Sequence, residues 1–372
     1  MKHKIPSEVI ASKLNEWCSM IRKNQVTDAE FLKSEIQREL DDMEEDQTVL
    51  VYYSLLELRH QMMLNDLKPA TTVDISRSLS EIEVNMKNNQ VDEMINYYFW
   101  FFKGMYEFKQ KNYNQAITCY KIAEKKLAYV KSEEEKAEFH YKLSEIYYHL
   151  RQNYLSMNYA SLALETFKAY ETLKEKAIYC YFIIAGNQVD SMRYEEALEN
   201  LTKALEEAKQ TKNNLLIASA LFNLGNCHFY LNEFSEALKH IEKSLFIFKN
   251  NNSPYIPKAL FQMMYVCLKQ EKKNDALKLY EQGIEFAKKF NDQEHEAQLG
   301  ILKGLYLDGF NRELIEGGFD YLASKGLYID LEELALDGAS YYNKIGKLQE
   351  ATELYQKGIQ ANIHIKRGDG VL

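Results

Sequence analysis

The chemistry open to this 372-residue chain is concentrated where side-chain amides stand among charges. The run Glu39-Leu40-Asp41-Asp42-Met43-Glu44-Glu45-Asp46-Gln47 is densely acidic and closes on a neutral amide. Carboxylates placed there favour the N-terminus of a following helix through its dipole, which accounts for the acids and leaves Gln47 unexplained. Farther on, Asn223 and Asn226 stand three apart, close to one helical turn, and each side chain both donates and accepts hydrogen bonds. Together they could hold the N–H and C=O groups of an extended peptide; amides satisfied between neighbouring helices are the alternative. No G-x-x-x-x-G-K-S/T, H-E-x-x-H, G-x-S-x-G or G-x-G-x-x-G occurs, so a self-contained ATPase, zinc protease, hydrolase or dinucleotide enzyme lacks its usual parts.

The elements that must position these residues are helical. Only 4 Pro and 15 Gly interrupt the chain, with no Gly before Gly104, too few for the tight turns of an all-β protein. The 27 Tyr and 18 Phe recur at helical spacing and read as interhelical packing. A formal charge of -9 repels a phosphate backbone and favours a basic ligand. Five scattered cysteines, odd in number and without a C-x-x-C, indicate packed thiols rather than disulfides or zinc. No apolar run approaches the roughly 18 to 20 residues of a membrane span, and no signal-like segment follows Met1, so a cytoplasmic location is expected.

A repeat governs most of the chain. Gly104, Ser144, Ala185, Gly225, Met264, Gly304 and Ala339 recur with a period near 40, and about twelve residues later come Ala116, Ser156, Ala197, Ala237, Ala276 and Ala351. The sixth copy has no clear small partner near Glu316. Small residues at that spacing let two antiparallel helices approach closely, and Tyr113, Tyr154, Tyr194 and Phe234 are placed to fill the groove beside the turn. The pattern resembles the tetratricopeptide repeat over roughly 96 to 363, predicting a superhelical array of about seven hairpins with a concave face. On that face the register puts Phe222, Asn223, Asn226 and Phe229 in the fourth copy, and Phe261, Gln262 and Tyr265 in the fifth. Glu138, Glu145, Asp190, Asp308 and Asp337 take similar positions and are expected to make it acidic.

Residues 1–67 lack the repeat and read as a three-helix bundle. Ile10, Leu14, Trp17 and Ile21 line one helix; Leu32, Ile36 and Leu40 line a second, opened by the capping box Thr27-Asp28-Ala29-Glu30; Leu50 and Tyr53 begin a third. The stretch 68–74, with Pro69, predicts a linker, and 75–372 the repeat domain.

An all-α chain with an N-terminal three-helix bundle, a Pro-containing linker and seven repeats resembles the Rap family. These are response-regulator aspartate phosphatases and inhibitors of spore-forming Gram-positive bacteria, controlled by short secreted Phr peptides. The resemblance spans the whole chain, with a local match at Glu44 to Gln47 followed by Leu50 to His60. It implies that Gln47 enters a receiver domain's acidic pocket and positions water for attack on the phosphoaspartate. An amide suits that task because it holds water without adding negative charge. It implies a receiver-docking surface at Glu45, Asp46, Leu50 and Leu55, and no metal or cofactor of its own, since Mg²⁺ would be held by the partner's carboxylates. It also implies a peptide of about five residues in the array, at Asp190, Phe222, Asn223, Asn226, Phe229, Gln262 and Tyr265, with Asp190 pairing a basic residue. Peptide binding would pull the bundle onto the array through the Pro69 linker. A non-catalytic inhibitor holding a regulator's DNA-binding domain, a peptide-sensing transcription factor and a generic scaffold stay open; the acidic stretch at 39–46 counts against the transcription factor.

Overall fold

The computed structural model describes residues 4–67, 75–88 and 91–367. The expected linker at 68–74, Pro69 included, lies outside the described residues. Apart from one isolated bridge between Ile5 and Met43, the described secondary structure is helical.

Helix α1 (Ser7–Arg22) buries Ile10, Leu14, Trp17, Cys18 and Ile21, a stripe at three- and four-residue spacing. Helix α2 (Val26–Glu39) answers with Ala29, Leu32 and Ile36. The capping box expected at Thr27 does not form. Asn24 takes a left-handed φ of 54°, turning the chain early enough that the helix begins at Val26 and Thr27 falls inside its first turn. A 3-10 turn at Leu40–Asp42 then leads to α3 (Gln47–Leu67), which packs on α1, on α4 (Ile75–Asn88) and on α5 (Glu93–Lys109). One hydrogen bond and one ring stack tie α3 to its neighbours. Trp17 Nε1 donates to His60 Nδ1 at 3.1 Å, and Tyr52 stacks on Tyr98 with centroids 5.4 Å apart.

The chain divides into two compact units, Met1–Ser132 and Glu133–Leu372. The first repeat hairpin, α5 with α6 (Tyr113–Glu124), therefore belongs with the bundle, because α3 lies against both α4 and α5. The second unit holds six further hairpins: α7 (Glu133–His149) with α8 (Asn153–Lys168), α9 (Lys174–Asp190) with α10 (Tyr194–Lys209), and α11 (Asn214–Tyr230) with α12 (Phe234–Asn250). After them come α13 (Ile256–Lys269) with α14 (Lys273–Phe290), α15 (Gln293–Tyr306) with α16 (Arg312–Ser324), and α17 (Tyr328–Lys344) with α18 (Leu348–Arg367). Within the second unit each hairpin packs on the next, and no helix of the described residues is long and apolar enough to cross a membrane.

All seven anchors, six of them small and the fifth Met264, fall on the first helix of a hairpin. At Gly225 the reason is steric: a Cβ would strike Ile241 and lie 3.0 Å from the Ala237 carbonyl oxygen. The sixth hairpin solves its missing partner differently, setting Ile315 against Gly304, where a Cβ would sit 2.9 Å from Ile315 Cγ1. Each hairpin turn also carries a left-handed residue two positions before its second helix: Lys111, Arg151, Met192, Asn232, Glu271, Phe310 and Gly346. Only the last is the residue type that takes this conformation freely. Tyr113 is buried as expected, but Tyr154 is 84% exposed and fills no groove. All five cysteines are buried thiols outside any disulfide.

Candidate functional site

Gln47 is the first residue of α3, exposed, with no side-chain hydrogen bond to the described residues. Its backbone is held firmly. Asp46 Oδ1 accepts from the amides of Thr48 and Val49 at 3.0 and 3.2 Å, satisfying two of the helix's orphan donors. Met43 is buried beneath it, and the chain is pinned to the N-terminal strand segment by Ile5 N to Asp42 O at 2.8 Å and Glu44 N to Ile5 O at 2.9 Å. Lys13 binds Glu35 and Glu39, drawing α1 against the end of α2.

Of the four residues expected on the docking surface, Glu45 is exposed and Leu50 is half-buried. Asp46 is half-buried with one carboxylate oxygen committed to the cap. Leu55 is a correction: at 0% exposure it is core, because eight residues past Gln47 the helix has turned that side chain inward against the bundle. It cannot form part of an exposed surface.

The second set of residues gathers in the repeat unit. On α11, Phe222, Asn226 and Phe229 follow at spacings of four and three, with Asn223 beside them; on α13, Lys258, Gln262 and Tyr265 repeat the same spacing. Phe222, Phe229, Gln262 and Tyr265 are buried, and Phe229 meets Tyr265 at 5.0 Å between centroids. The two asparagines remain partly accessible, and Asn226 Oδ1 is buried without a hydrogen-bond partner. Such an acceptor is costly unless something else satisfies it.

The expectation of an acidic face needs correction. Every acid proposed for it has a cation. Glu138 pairs with Lys176 at 3.0 Å, Glu145 with Lys142 at 2.6 Å, Asp190 with Arg151 at 3.0 Å and Asp308 with Lys303 at 3.6 Å; Asp337 pairs with Lys269. Burial raises the Asp190 carboxyl above its ordinary range, and Arg151 opposes that shift.

Sequence reasoning missed the contacts that run between distant hairpins. Tyr230 of α11 donates to Glu333 Oε1 of α17 at 2.8 Å, across 103 residues of sequence, and between consecutive hairpins Tyr306 of α15 donates to Asp337 of α17. Burial raises the carboxyls of Glu333 and Asp330, and burial, then Asp190, raises the Tyr148 hydroxyl of α7. Lys258 was also missed. Its Nζ stands 5.2 Å from the centre of the Phe222 ring, and its place four before Gln262 and seven before Tyr265 was the available signal.

Residues 4–65 match the family model described as response regulator aspartate phosphatase H, N terminal, and residues 183–250 match a tetratricopeptide repeat model. Response regulator aspartate phosphatase I of Bacillus subtilis (strain 168) is 41% identical over 99% of this chain and 94% of its own length. Response regulator aspartate phosphatase A of the same organism is 41% identical, covering 99% of this chain and 98% of that protein. Among solved structures, a Rap protein complexed with competence and sporulation factor superposes with a TM-score of 0.90 at 39% identity, covering 97% of this chain and 99% of that one. With two such relatives matched along nearly their whole length, the chain belongs to the Rap family of response regulator aspartate phosphatases.

Proposed function

We propose that this chain removes the phosphoryl group from an aspartate of a response-regulator receiver domain in the cytoplasm, with Gln47 as the catalytic residue, and that a short signalling peptide bound in the repeat unit inhibits it. The observation that carries the catalytic part is an exposed amide, unengaged by the described residues, on a helix start whose backbone is fixed by Asp46, Met43 and the Ile5 bridge. Gln47 Oε1 accepts a hydrogen from water while Nε2 donates, so the amide orients the nucleophile in line with the phosphorus and carries no charge toward an anionic centre. The helix N-terminus beneath it adds a partial positive charge. The carboxylates that hold Mg²⁺ belong to the receiver in this reading, and this chain contributes position rather than a metal site.

For the peptide, Asn223 and Asn226 are placed to meet its backbone, and Asn226 Oδ1 gains the donor it lacks. Phe222, Phe229, Gln262 and Tyr265 form the wall beside them. A basic side chain directed to Asp190 has to share that carboxylate with Arg151 or displace it.

The test mixes the full chain with phosphorylated receiver domains and follows loss of phosphate. Gln47→Ala is expected to slow the reaction by about a hundredfold, the scale of a lost positioning group, with no shift in melting temperature because the side chain is exposed. A variant as fast as the native chain refutes the assignment. A native chain that binds the regulator and leaves its phosphate in place identifies it as a sequestering member of the family.

A further inference from the structure

Gln47 is separated from the end of α2 by a turn that carries Asp41, Asp42, Glu44, Glu45 and Asp46. Like charges crowded on one short segment repel one another and favour many backbone paths over a single one. The turn nevertheless holds one path. Within it, Met43 N meets Leu40 O at a long 3.3 Å, and Met43 itself is extended, with φ -74° and ψ 149°. The main-chain groups on either side of Met43 are taken by one residue from outside the turn. Ile5 N donates to Asp42 O at 2.8 Å, and Glu44 N donates to Ile5 O at 2.9 Å. This parallel bridge grips the chain on both sides of Met43, whose side chain is buried.

Ile5 is suited to this by its place in the sequence. It precedes Pro6, whose ring crowds the residue before it out of the helical region and into an extended one, so the N–H and C=O of residue 5 are free to pair with a second extended segment. Pro6 is in turn the N-cap of α1, a helix locked into the bundle by buried Ile10, Leu14, Trp17 and Ile21. Lys13 ties that helix to Glu35 and Glu39, at the end of α2 from which the acidic turn departs. Gln47 therefore lies between two fixed points: Glu44 N on Ile5 before it, and the amides of Thr48 and Val49 on Asp46 after it. We propose that Ile5 is a positioning residue of the catalytic site, its main chain fixing the direction in which Gln47 presents its amide, so that loss of the bridge slows dephosphorylation without loosening the hold on the receiver. The inference rests on the catalytic part of the reading above and adds to it a residue, remote in sequence, on which the rate depends. Its physical basis is that displacing a positioning group by about 1 Å costs far more in rate than in affinity.

The experiment uses the full chain and the phosphorylated receiver domain that the native chain dephosphorylates fastest, with kcat and KM measured separately. Ile5→Pro deletes the donor to Asp42 O while keeping an extended residue and the carbonyl that Glu44 N uses. It is expected to lower kcat about tenfold and to leave KM within about twofold. Ile5→Val, which retains both hydrogen bonds, is expected to restore the native rate. In a Gln47→Ala background, Ile5→Pro is expected to change the residual rate by no more than about twofold, because two changes acting through one group do not add. Should calorimetry show Ile5→Pro to be unfolded, Ile5→Gly decides instead: it keeps both hydrogen-bonding groups but loosens the backbone that presents them, and is expected to lower kcat about threefold at an unchanged KM. A folded Ile5→Pro chain as fast as the native one, a loss confined to KM, or an equal loss in the Gln47→Ala background overturns the positioning role and leaves Gln47 catalytic. So does an Ile5→Gly chain of native rate where it has to decide. A Gln47→Ala chain as fast as the native one, or a native chain that dephosphorylates no receiver, overturns the catalytic reading and the proposal with it.

Discussion

Asp46 separates two roles that the same carboxylate could serve, and substituting it two ways tells them apart. The structure places Oδ1 on the amides of Thr48 and Val49 at 3.0 and 3.2 Å, at the first turn of α3. Asp46→Ala leaves both donors without that acceptor and is expected to cost about 1 kcal/mol, within the usual 0.5–2 kcal/mol for a lost cap. In a unit of 132 residues that cost lowers the melting temperature by roughly 2–6 °C. Fraying begins at Gln47 itself, so dephosphorylation of a receiver is expected to fall several-fold in the same variant. Asp46→Asn keeps the acceptor and removes the charge. If the residue acts as a cap, Asn restores both melting temperature and rate to near native values. Calorimetry and the receiver dephosphorylation assay read the two effects on one set of proteins. An Asp46→Ala chain with an unshifted melting temperature refutes the capping argument. An Asp46→Asn chain that is stable but loses receiver binding as badly as Ala shows that the charge docks the partner.

Other expectations follow from packing and protonation. Leu55→Ala, at a position with 0% exposure, is expected to destabilise the first unit by about 2–5 kcal/mol in urea unfolding, whereas a docking role predicts an unchanged midpoint and weaker receiver binding. Gly225→Ala forces the fourth hairpin open against Ile241 and the Ala237 carbonyl and is expected to cost about 1–3 kcal/mol, read as a lower thermal midpoint of the second unit. His60 is held neutral, its pKa lowered first by burial and then by Lys33, with Glu30 and Glu57 opposing. Its contribution is therefore complete above the ordinary value of 6.5 and is lost as pH falls through the lowered one. The urea midpoint of the native chain should drop more between pH 7.5 and pH 5.5 than that of His60→Gln, and equal drops would show that another group governs the acid sensitivity.

The hairpins were legible because their signal is local and periodic. An anchor near every fortieth position, small in six of the seven copies, located each first helix, and the gap near Glu316 marked the one hairpin that packs Ile315 where the others use a small side chain. The same register set Phe229 of α11 beside Tyr265 of α13, whose rings meet at 5.0 Å between centroids. The ends of elements were less legible. Thr27 to Glu30 has the composition of a capping box, yet a left-handed Asn24 set the helix start ahead of it, at Val26. Leu55 was misread because an apolar residue on a docking helix and one in its core look alike without a measure of burial.

Charge pairing was the least legible property, for a physical reason. The cation that neutralises an inner acid is supplied by another hairpin as often as by the same helix: Lys176 for Glu138 is 38 residues away, Arg151 for Asp190 comes from the preceding hairpin, and Lys269 lies 68 residues before Asp337. Those pairings change what the inner face selects. Five unpaired carboxylates would attract any cationic ligand at long range; five paired ones cancel most of that field beyond a few ångströms. Under the proposed peptide-sensing reading a basic side chain gains only what it wins in competition with Arg151, so Asp190 would be a discriminating contact rather than a general attractor. Under that reading the amides of Asn223 and Asn226 are then left to decide which peptide is held. Selectivity in this unit accordingly comes from a few fixed groups at defined places, and a chain with an overall charge of -9 can be specific for a ligand without being drawn to every basic one.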